Sequence, residues 1–570
     1  MKRKDLLVKS IIPVLAAGMV GFANAAFADA LSDFGLTPAE REMVTRAYTE
    51  TAGPQLNRTL ELMERARVAQ QMEEDQARQK QKIENSETSE QPEQEQVSFN
   101  LKKIDYNPSE VIPNATIDAI INEYVGKKIY VKDLYQMIGK INNLYSEGGY
   151  ITCKAFLPPQ KIEKGIVKIL LVEGKTGKVT VSGNKTTHTS YITRRIKLPS
   201  GEIVNINDLN EKMMLFNGTN DVQLRLALQA GEEPGTTDFV LTAYEPQQIN
   251  STLFTDNSGN YTSGMYRAGY FLNTKSLFGQ RDSLTLGTIY SKGTRSFSAV
   301  YDIPVSPSGT KISLSYSTNA TKVVKGELDD AGLDVKGHST AYSVTVRQPW
   351  VVNDTTRSEA GLEFNHQSSK SSIEGFEYVR DMIRDISPYF SHTAYGKSHV
   401  FYQKHSYSVW GKYSDGVGTQ SLGGMHYYKL NTYYQKAYKN GNMLTNRLDA
   451  QLSHGEFLPS SRQFYIGGSN SVRGYRESYL SGERGFSNSL EYQIPFKDRR
   501  FSAFGFYDYG VVEGASAFDN HVLHSLGTGL KASWNKHIYS SVCIAFPLIR
   551  ELNEQEVSRT RIHFLVSGQF

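Results

Sequence analysis

Residues 561–570 read RIHFLVSGQF, in which every second position from Ile562 to Phe570 carries an apolar residue or glycine. Successive side chains of a β-strand point to opposite faces, so this period of two predicts a strand with one apolar face. Similar short segments, separated by Gly, Asn, Asp and Ser, recur throughout residues 246–570, and two of them centre on Ala299 and Leu314. Transmembrane strands of ~9–11 residues produce this weak alternation.

The length of residues 246–570 sets the number of such strands. At roughly 20 residues per strand with its connection, the segment holds about sixteen strands, an even number as in bacterial barrels. We therefore predict a mainly β fold with a transmembrane antiparallel β-barrel. A soluble β-sandwich is the alternative, and the terminal aromatic strand and the N-terminal segment described below weigh against it.

The composition fits half-exposed strands better than apolar helices. The 570 residues have a mean hydropathy of −0.44, yet 11% are aromatic, with 34 Tyr against 3 Trp. Lys and Arg number 63 and Asp and Glu 59, a balance that gives no indication of a nucleic-acid partner. Cys153 and Cys543 lie far apart and predict neither a disulfide nor a metal site.

The N-terminus has the three parts of a secretory signal peptide, which we assign to residues 1–30. A basic start at residues 2–9 precedes an apolar core at residues 11–22, and small-residue cleavage sites follow between residues 23 and 30. A membrane anchor is the alternative, but this core is too short to span ~30 Å of hydrocarbon. An exported protein without a further apolar helix has three possible locations: the periplasm, the medium, or the outer membrane as a barrel.

Residues 31–84 are predicted to form a polar helix, followed by a linker at residues 85–96. The stretch from Glu61 to Glu84 is dense in Glu, Gln, Arg and Lys, which favour helix but give it little apolar face. A helix in solvent is therefore one interpretation. The linker contains Ser, Glu, Gln and Pro without hydrophobic residues, a composition typical of disorder.

Residues 97–245 repeat one pattern of elements twice. In residues 97–175 a strand is followed by two helices with apolar positions at helical spacing, and two strands, including Ile166–Val172, close the unit. In residues 176–245 the same order recurs more loosely, with the alternating segment Val222–Leu228 near its end. Each unit is thus a β-α-α-β-β domain of the α+β class.

Four stretches of the chain contain motifs with recognisable spacing. The first comprises GYIT at 149–152, LPPQ at 157–160, Gly165 and LVEG at 171–174, and the second AG at 230–231 with PGTTD at 234–238. The third contains Asp256, Asn257, Gly259, Gly264, Arg267, Gly279, Asp282, Tyr301 and Pro304. The fourth joins FYIGG at 464–468 to SVRGY at 471–475 and, later, FYDYG at 506–510.

In this order, the four stretches resemble the outer-membrane transporters of two-partner secretion systems, of the haemolysin-activator and filamentous-haemagglutinin transporter type. The first two match the ends of two polypeptide-transport-associated (POTRA) domains, which the resemblance places at residues 97–175 and 176–245, ahead of a barrel at residues 246–570. The fourth matches the V-R-G-[FY] loop and the F-x-D-x-G strand of that family. Residues 31–96 match only loosely, in having a helix and a linker before the first POTRA domain. Their polar run to Glu84 is longer than the family pattern.

The resemblance implies a position for the loop of Val472, Arg473, Gly474 and Tyr475. In the family this translocation loop folds back into the barrel, where its Arg pairs with the Asp of the strand motif, here Asp508. A pair confined in a narrow lumen is costly to break on one side only. Glycine at position 474 permits a turn that a side chain would obstruct. An ion pair that only fixes a structural loop is the alternative.

Three further assignments rest on the resemblance alone. Phe506 and Gly510 complete the barrel-strand motif. Phe570 is similar to the terminal aromatic residue by which assembly machinery recognises outer-membrane barrels. The helix in residues 31–84 is implied to plug the pore at rest.

The function implied by the resemblance is export without enzymatic chemistry. The POTRA domains lie in the periplasm and bind an unfolded segment of one large secreted partner with an N-terminal secretion domain, by adding a strand to a sheet edge. The partner passes through the barrel in the cell outer membrane and folds outside; it could be a haemolysin, an adhesin or a contact-dependent toxin. Outer-membrane lipids, barrel-assembly machinery and periplasmic chaperones are the other expected partners. No nucleic acid, metal or cofactor is expected.

The residues themselves give no indication of an enzyme. GKT at residues 174–176 lacks the first glycine of a phosphate loop, because Ile169 occupies its place, and neither H-E-x-x-H nor G-x-S-x-G occurs. A passive pore or receptor and a barrel hydrolase using His454 or His563 are the alternatives. A barrel-assembly factor is a third, but that class usually carries more POTRA domains than residues 97–245 hold.

Overall fold

The computed structural model describes residues 52–80, 98–415, 421–454, 458–496, 500–514, 521–552 and 555–570. Contacts divide the described residues into two compact units, of which one lies within residues 80–246 and the other combines residues 52–79 with those from 247 to 570. The predicted signal peptide, the first and last parts of the predicted helical segment at residues 31–84, and the predicted linker lie outside the described residues. Among the described residues, no helix is both long enough and apolar enough to cross a membrane.

The larger unit contains a closed barrel of sixteen strands, and the last strand pairs with the first through residues 565–569 and 252–256. Neighbouring strands are antiparallel and follow one another around the wall in chain order. The prediction of a mainly β fold with a barrel of about sixteen strands is confirmed. The strands are Ile249–Asp256, Arg267–Lys275, Ser283–Tyr290, Thr294–Pro304, Lys311–Lys322, Val335–Val352, Thr356–Ile373, Phe376–Tyr395, His399–Asp415, Ser421–Ala437, Met443–Ser453, Arg484–Phe496, Phe501–Glu513, Val522–Ser533, Ile538–Pro547 and Arg561–Gln569.

Side chains alternate between the lumen and the outer surface of this barrel. Phe506 and Asp508 are buried on the inner face, whereas Tyr507 between them is exposed on the outer face. The wall is uneven in height, because the five strands between Val335 and Ala437 have 17–20 residues and the remaining strands 8–13. Since ~9–11 residues suffice to cross a bilayer, the longer strands extend beyond it.

Shorter elements accompany the barrel. A helix at Ala52–Lys80 precedes it in sequence and belongs to the same unit. A hairpin of Phe464–Ile466 and Leu480–Gly482 is inserted between two barrel strands. The remaining elements are the helices Glu327–Asp330 and Ser460–Arg462 and the strand pair Glu551–Leu552 and Gln555–Glu556.

The smaller unit begins with an α+β module at residues 98–173. Its central strand, Ile166–Glu173, is parallel to Lys103–Tyr106 and antiparallel to Cys153–Phe156, and its alternate apolar side chains pack against two helices. Two of its strands, at residues 103–106 and 128–130, were not predicted. The elements are Ser98–Asn100, Lys103–Tyr106, Lys128–Tyr130, Cys153–Phe156 and Ile166–Glu173 as strands, and Asn114–Asn122 and Val131–Glu147 as helices.

A second module at residues 175–244 repeats this arrangement. Thr236–Tyr244 is central, parallel to Lys175–Ser182 and antiparallel to Gln223–Ala230, so the last of these forms a sheet edge. Two helices, Thr189–Ile196 and Ile206–Thr219, cover one face of this sheet. Two α+β modules ahead of the barrel agree with the predicted fold class, while the predicted domain boundaries stay predictions.

Candidate functional site

The loop of the hairpin at residues 464–482 packs against the inner face of the barrel. Val472 and Tyr475 on this loop are 0% and 1% exposed. Apolar contact with the wall therefore fixes the loop on both sides of Arg473. The cluster consists of Ile466, Val472, Tyr475, Leu480, Val512, Leu523 and Leu552.

Arg473 forms a bidentate ion pair with Asp508. Its Nε donates to Oδ2 at 2.8 Å and its Nη2 to Oδ1 at 2.9 Å, and the backbone N–H of Arg473 donates to Oδ2 at 3.0 Å. The Asp508 side chain is 0% exposed and that of Arg473 12%. The structure thus brings together the two residues predicted to pair in the lumen, and their part in translocation stays a prediction.

Further side chains complete the surroundings of the guanidinium. Its Nη1 donates to Glu491 at 2.9 Å and its Nη2 to the hydroxyl of Ser489 at 3.0 Å, and this hydroxyl donates to Asp508 at 2.7 Å. Phe506 lies beneath it, with 3.4 Å between Arg473 Cζ and the ring centroid, as in a cation–π contact. Sequence reasoning missed Ser489 and Glu491, although their alternation on a barrel strand places both on the inner face.

Two glycines allow the loop to pack closely against the barrel wall. Gly474 has φ +99°, where other residues are strained, and a Cβ there would also lie 3.2 Å from Pro547. Gly510 is on the wall, where a Cβ would lie 2.9 Å from Val472 and 3.2 Å from Ile466. A side chain at either position would push the loop away from the wall.

Tyr475 and His563 anchor the loop to other strands. The Tyr475 hydroxyl donates to the carbonyl of His524 at 3.0 Å, and the backbone N–H of Gly474 donates to His563 Nε2 at 3.4 Å. His563 is therefore a buried partner of the loop. His454, the other histidine considered for a hydrolase, is an exposed residue beyond the end of its strand.

Phe570 closes the barrel at the seam between its last and first strands. Its backbone N–H donates to the carbonyl of Ser251 at 2.9 Å and its carbonyl accepts from Ser251 at 2.8 Å. The ring is 59% exposed and stacks on His537. Its recognition by assembly machinery stays a prediction.

A second buried ion pair, absent from the sequence prediction, joins Arg462 to Asp385. Arg462 Nε donates to Asp385 at 2.8 Å and Nη1 to Gln367 at 2.6 Å, and the two charged side chains are 6% and 4% exposed. An acidic residue at an inner position of an alternating strand is the signal that could have revealed Asp385.

Comparison with known proteins decides the family. Haemolysin secretion/activation proteins of the ShlB/FhaC/HecB family match residues 235–532, more than half of the chain, and a ShlB-type POTRA domain matches residues 99–174. The chain belongs to this family. The heme/hemopexin transporter protein HuxB of Haemophilus influenzae is 24% identical over 493 residues, which cover 81% of this chain and 86% of that protein. The outer membrane transporter CdiB of Dickeya dadantii is 24% identical and covers 69% and 72%.

A solved structure, CdiB from Escherichia coli, shares the fold of this ShlB/FhaC/HecB-family protein. It superposes with a TM-score of 0.64 at 17% identity and covers 91% of this chain and 99% of that chain. Our chain is accordingly an outer-membrane transporter of a two-partner secretion system, with its POTRA modules in the periplasm.

This location orients the barrel of the transporter. Because the periplasmic modules directly precede the first barrel strand, that strand starts at the periplasmic face. The antiparallel order then puts the loop at residues 257–266 on the outside and the turn at residues 276–282 in the periplasm.

The helix Ala52–Lys80 of the transporter contacts the inner face of the barrel through mostly polar side chains. Leu56 is fully buried, and Met72 packs against a small group of wall residues, Tyr395, Val400 and Tyr402. The polar contacts are Lys404 to Glu64 at 3.0 Å, Arg65 to Asp449 at 3.1 Å, Lys275 to Glu74 at 3.1 Å and the Tyr395 hydroxyl to Asp75 at 2.5 Å.

The direction of this helix follows from its partners. Gln55 accepts hydrogen bonds from Ser263 and Thr294, which lie toward the outer face, whereas Glu74 meets Lys275 at the periplasmic end of its strand. The 29 residues of the helix span about 43 Å at 1.5 Å per residue. The helix therefore runs along the lumen with its N-terminal end outward.

Proposed function

We propose that this transporter exports one large exoprotein, and that the lumen helix closes its pore until the exoprotein arrives. The observation that carries this proposal is the chemistry of the contact between helix and wall. Ion pairs and hydrogen bonds dominate it, and few apolar side chains are buried. Polar groups of this kind are solvated again when the helix leaves, so its departure costs less than that of an apolar core element.

The sheet edge at Gln223–Ala230 supports recognition of an unfolded partner. The Asn217 side chain accepts a hydrogen bond from the backbone N–H of Leu224 at 2.7 Å and donates one to the carbonyl of Leu224 at 3.0 Å. Because backbone groups alternate between the two sides of a strand, those of Leu226 and Leu228 point to the same edge. An incoming extended segment can pair with them as an additional strand.

The ion pair of Arg473 and Asp508 serves, in this proposal, to hold the translocation loop at the wall while the exoprotein passes. Arg473 joins three polar side chains of two adjacent strands, so the loop keeps one position even when the helix has left. Folding of the exoprotein outside the cell supplies the direction of transport. Barrel-assembly machinery that reads Phe570 and periplasmic chaperones act during biogenesis and export.

The test uses cells that carry this transporter and its exoprotein, which we expect to be encoded beside it as a very large protein with an N-terminal secretion domain. Deletion of residues 98–244 should abolish secretion while the barrel still inserts. Deletion of residues 52–80 should instead give a larger steady conductance in planar bilayers than the intact protein. Undiminished secretion without residues 98–244 would refute recognition by the POTRA modules. An unchanged conductance without residues 52–80 would refute the plug.

A further inference from the structure

The outer surface of the barrel carries a row of polar side chains directly above an apolar one. Tyr342, His366 and Arg384 are paired across three neighbouring strands and point outward. The next outward row toward the periplasm consists of Val344, Phe364 and Ile386. A boundary between polar and apolar surface therefore crosses the wall between these two rows.

The distance to the periplasmic aromatic residue locates this boundary in the membrane. Trp350 is 77% exposed and lies eight residues after Tyr342 on the same strand. A rise of ~3.3 Å per residue and a strand tilt of ~40° separate the two rings by about 20 Å along the membrane normal. This is close to the ~25 Å height of the apolar band of such barrels. The row of Arg384 therefore lies about 5 Å inside the outer edge of this band, from where a long arginine side chain reaches the headgroups of the outer leaflet.

Among the described residues, Arg384 contacts neutral atoms and no carboxylate. Its Nε donates to His366 Nδ1 at 3.3 Å, and its Nη2 lies 3.6 Å from the sulfur of Met382, so both contacts are with neutral atoms. Within the described part of the chain, no carboxylate forms an ion pair with Arg384 or with Lys370, an exposed outward residue four positions beyond His366. The neighbouring Lys336, by contrast, pairs with Asp334 at 2.5 Å.

A hollow of about 540 Å³ joins the two rows and is lined by the six residues of these rows together with Ser343, Asn365 and Asp385. The Asp385 carboxylate is buried and pairs with Arg462, so it does not offset the charge of Arg384. We propose that this hollow binds a phosphorylated lipid of the outer leaflet. Arg384 holds a phosphate in the fork of its guanidinium, His366 adds a donor beside it and Lys370 one above it, and an acyl chain lies on Phe364. The apolar lower half selects a lipid over a free anion.

The experiment measures lipid retention by the full-length protein in detergent, using native mass spectrometry with diphosphoryl lipid A as the probe. Wild-type protein should retain the lipid, and Arg384→Gln and Lys370→Gln should each lower the retained fraction, Arg384→Gln by about tenfold because a bidentate charged contact is lost. Lys336→Gln is the matched control, since it removes an outward charge that already has a partner. Heat-modifiable mobility on gels verifies that every variant is a folded barrel.

Two further arms identify the source of the phosphate. Dioleoylphosphatidylcholine, which has no net charge, should be retained poorly by all variants, and an excess of inorganic phosphate should leave lipid A bound. Equal retention by Arg384→Gln and Lys336→Gln would overturn the proposal. Complete displacement by inorganic phosphate would overturn it as well, because the hollow would then be a site for a free anion.

Discussion

Gly510 lies directly beneath Val472, and a Cβ at Gly510 would come within 2.9 Å of the Val472 methyl group. The absence of a side chain at Gly510, two residues after Asp508, thus leaves a space at the wall. Val472, which precedes Arg473 on the loop, fills this space. The ion pair and this close apolar contact are therefore parts of one docking surface, which fixes both the charge and the backbone of the loop.

We expect Gly510→Val to displace the loop and weaken export, because the added side chain meets Val472 and draws Arg473 away from Asp508. Gly505→Val is the matched control on the same strand, since the nearest atom to a Cβ there is 3.9 Å away. Secreted exoprotein per inserted barrel is the measurement. Equal export by the two variants would show that the contact with Val472 does not position the loop.

Arg473→Ala should reduce secretion severely while the barrel still inserts. The substitution leaves the fully buried Asp508 carboxylate without its cation, whereas the wall keeps its closed ladder of backbone hydrogen bonds. Asp508→Ala should have a similar effect, and the double variant should be no worse than either single one because the residues are coupled. If the reduction in secretion by the double variant equals the product of the two single reductions, the two residues act independently.

Asp75→Asn should increase the frequency of pore opening in planar bilayers. The change removes the charge that pairs with Arg357 at 3.5 Å and weakens the acceptor of the Tyr395 hydroxyl. Glu73→Gln removes the same charge two residues earlier, from an exposed side chain, and should leave the openings unchanged. If both variants open alike, the contact of Asp75 with the wall does not hold the helix.

Leu228→Pro should weaken binding of the exoprotein's secretion domain, which we expect to be micromolar, about −8 kcal/mol. Proline removes the N–H that points to the free edge of Gln223–Ala230. Leu228→Ala keeps this donor and serves as the control for the lost side chain. Titration with the purified secretion domain should separate the two variants, and equal affinities would place the binding site away from this edge.

Glu245→Gln should destabilise the second POTRA module at neutral pH but not in acid. Burial alone would raise the pKa of Glu245, but hydrogen bonds from the N–H and hydroxyl groups of Thr187 and Thr186 hold the pKa below its usual range. Because the pKa is lowered in the folded state, the ionised Glu245 carboxylate stabilises the folded module. This stabilisation is complete above the unfolded-state pKa of ~4.3 and disappears as the pH falls through the folded-state pKa.

Hydrogen exchange of the strand Thr236–Tyr244 in the full-length protein measures this effect. At pH 7 the amides of the variant should exchange faster than those of wild type, and the difference should vanish below the folded-state pKa. Glu232→Gln, on an exposed loop of the same module, should match wild type throughout. A difference that persists in acid would assign the effect to packing rather than to charge.

Sequence analysis predicted the barrel because the pattern of its strands is imposed by two different environments. The segment at residues 561–570 alternates since one face meets lipid and the other the lumen, and this requirement recurs in every strand. Arg473 and Asp508 were found through the family motifs. The pair of Arg462 and Asp385 belongs to none of those motifs. The acidic residue at an inner strand position signals Asp385 alone, and its partner lies 77 residues away in the chain.

The position of the helix Ala52–Lys80 could not be predicted for a physical reason. A polar lumen and bulk water favour the same side chains, so the sequence of the helix does not distinguish between them. Only the matching charges of the wall, such as Lys404 for Glu64 and Lys275 for Glu74, decide the matter. These lie on distant strands, whose spatial arrangement is a property of the closed barrel.

The direction of this helix along the lumen has an electrical consequence. Aligned peptide groups place roughly +0.5 elementary charge at its outward N-terminus and −0.5 at its periplasmic end. Half a charge moved through 100 mV corresponds to about 1.2 kcal/mol. An applied voltage that makes the outer side negative should therefore hold the proposed plug in the lumen, and the opposite polarity should loosen it, so we expect the pore to open more readily at one polarity than at the other.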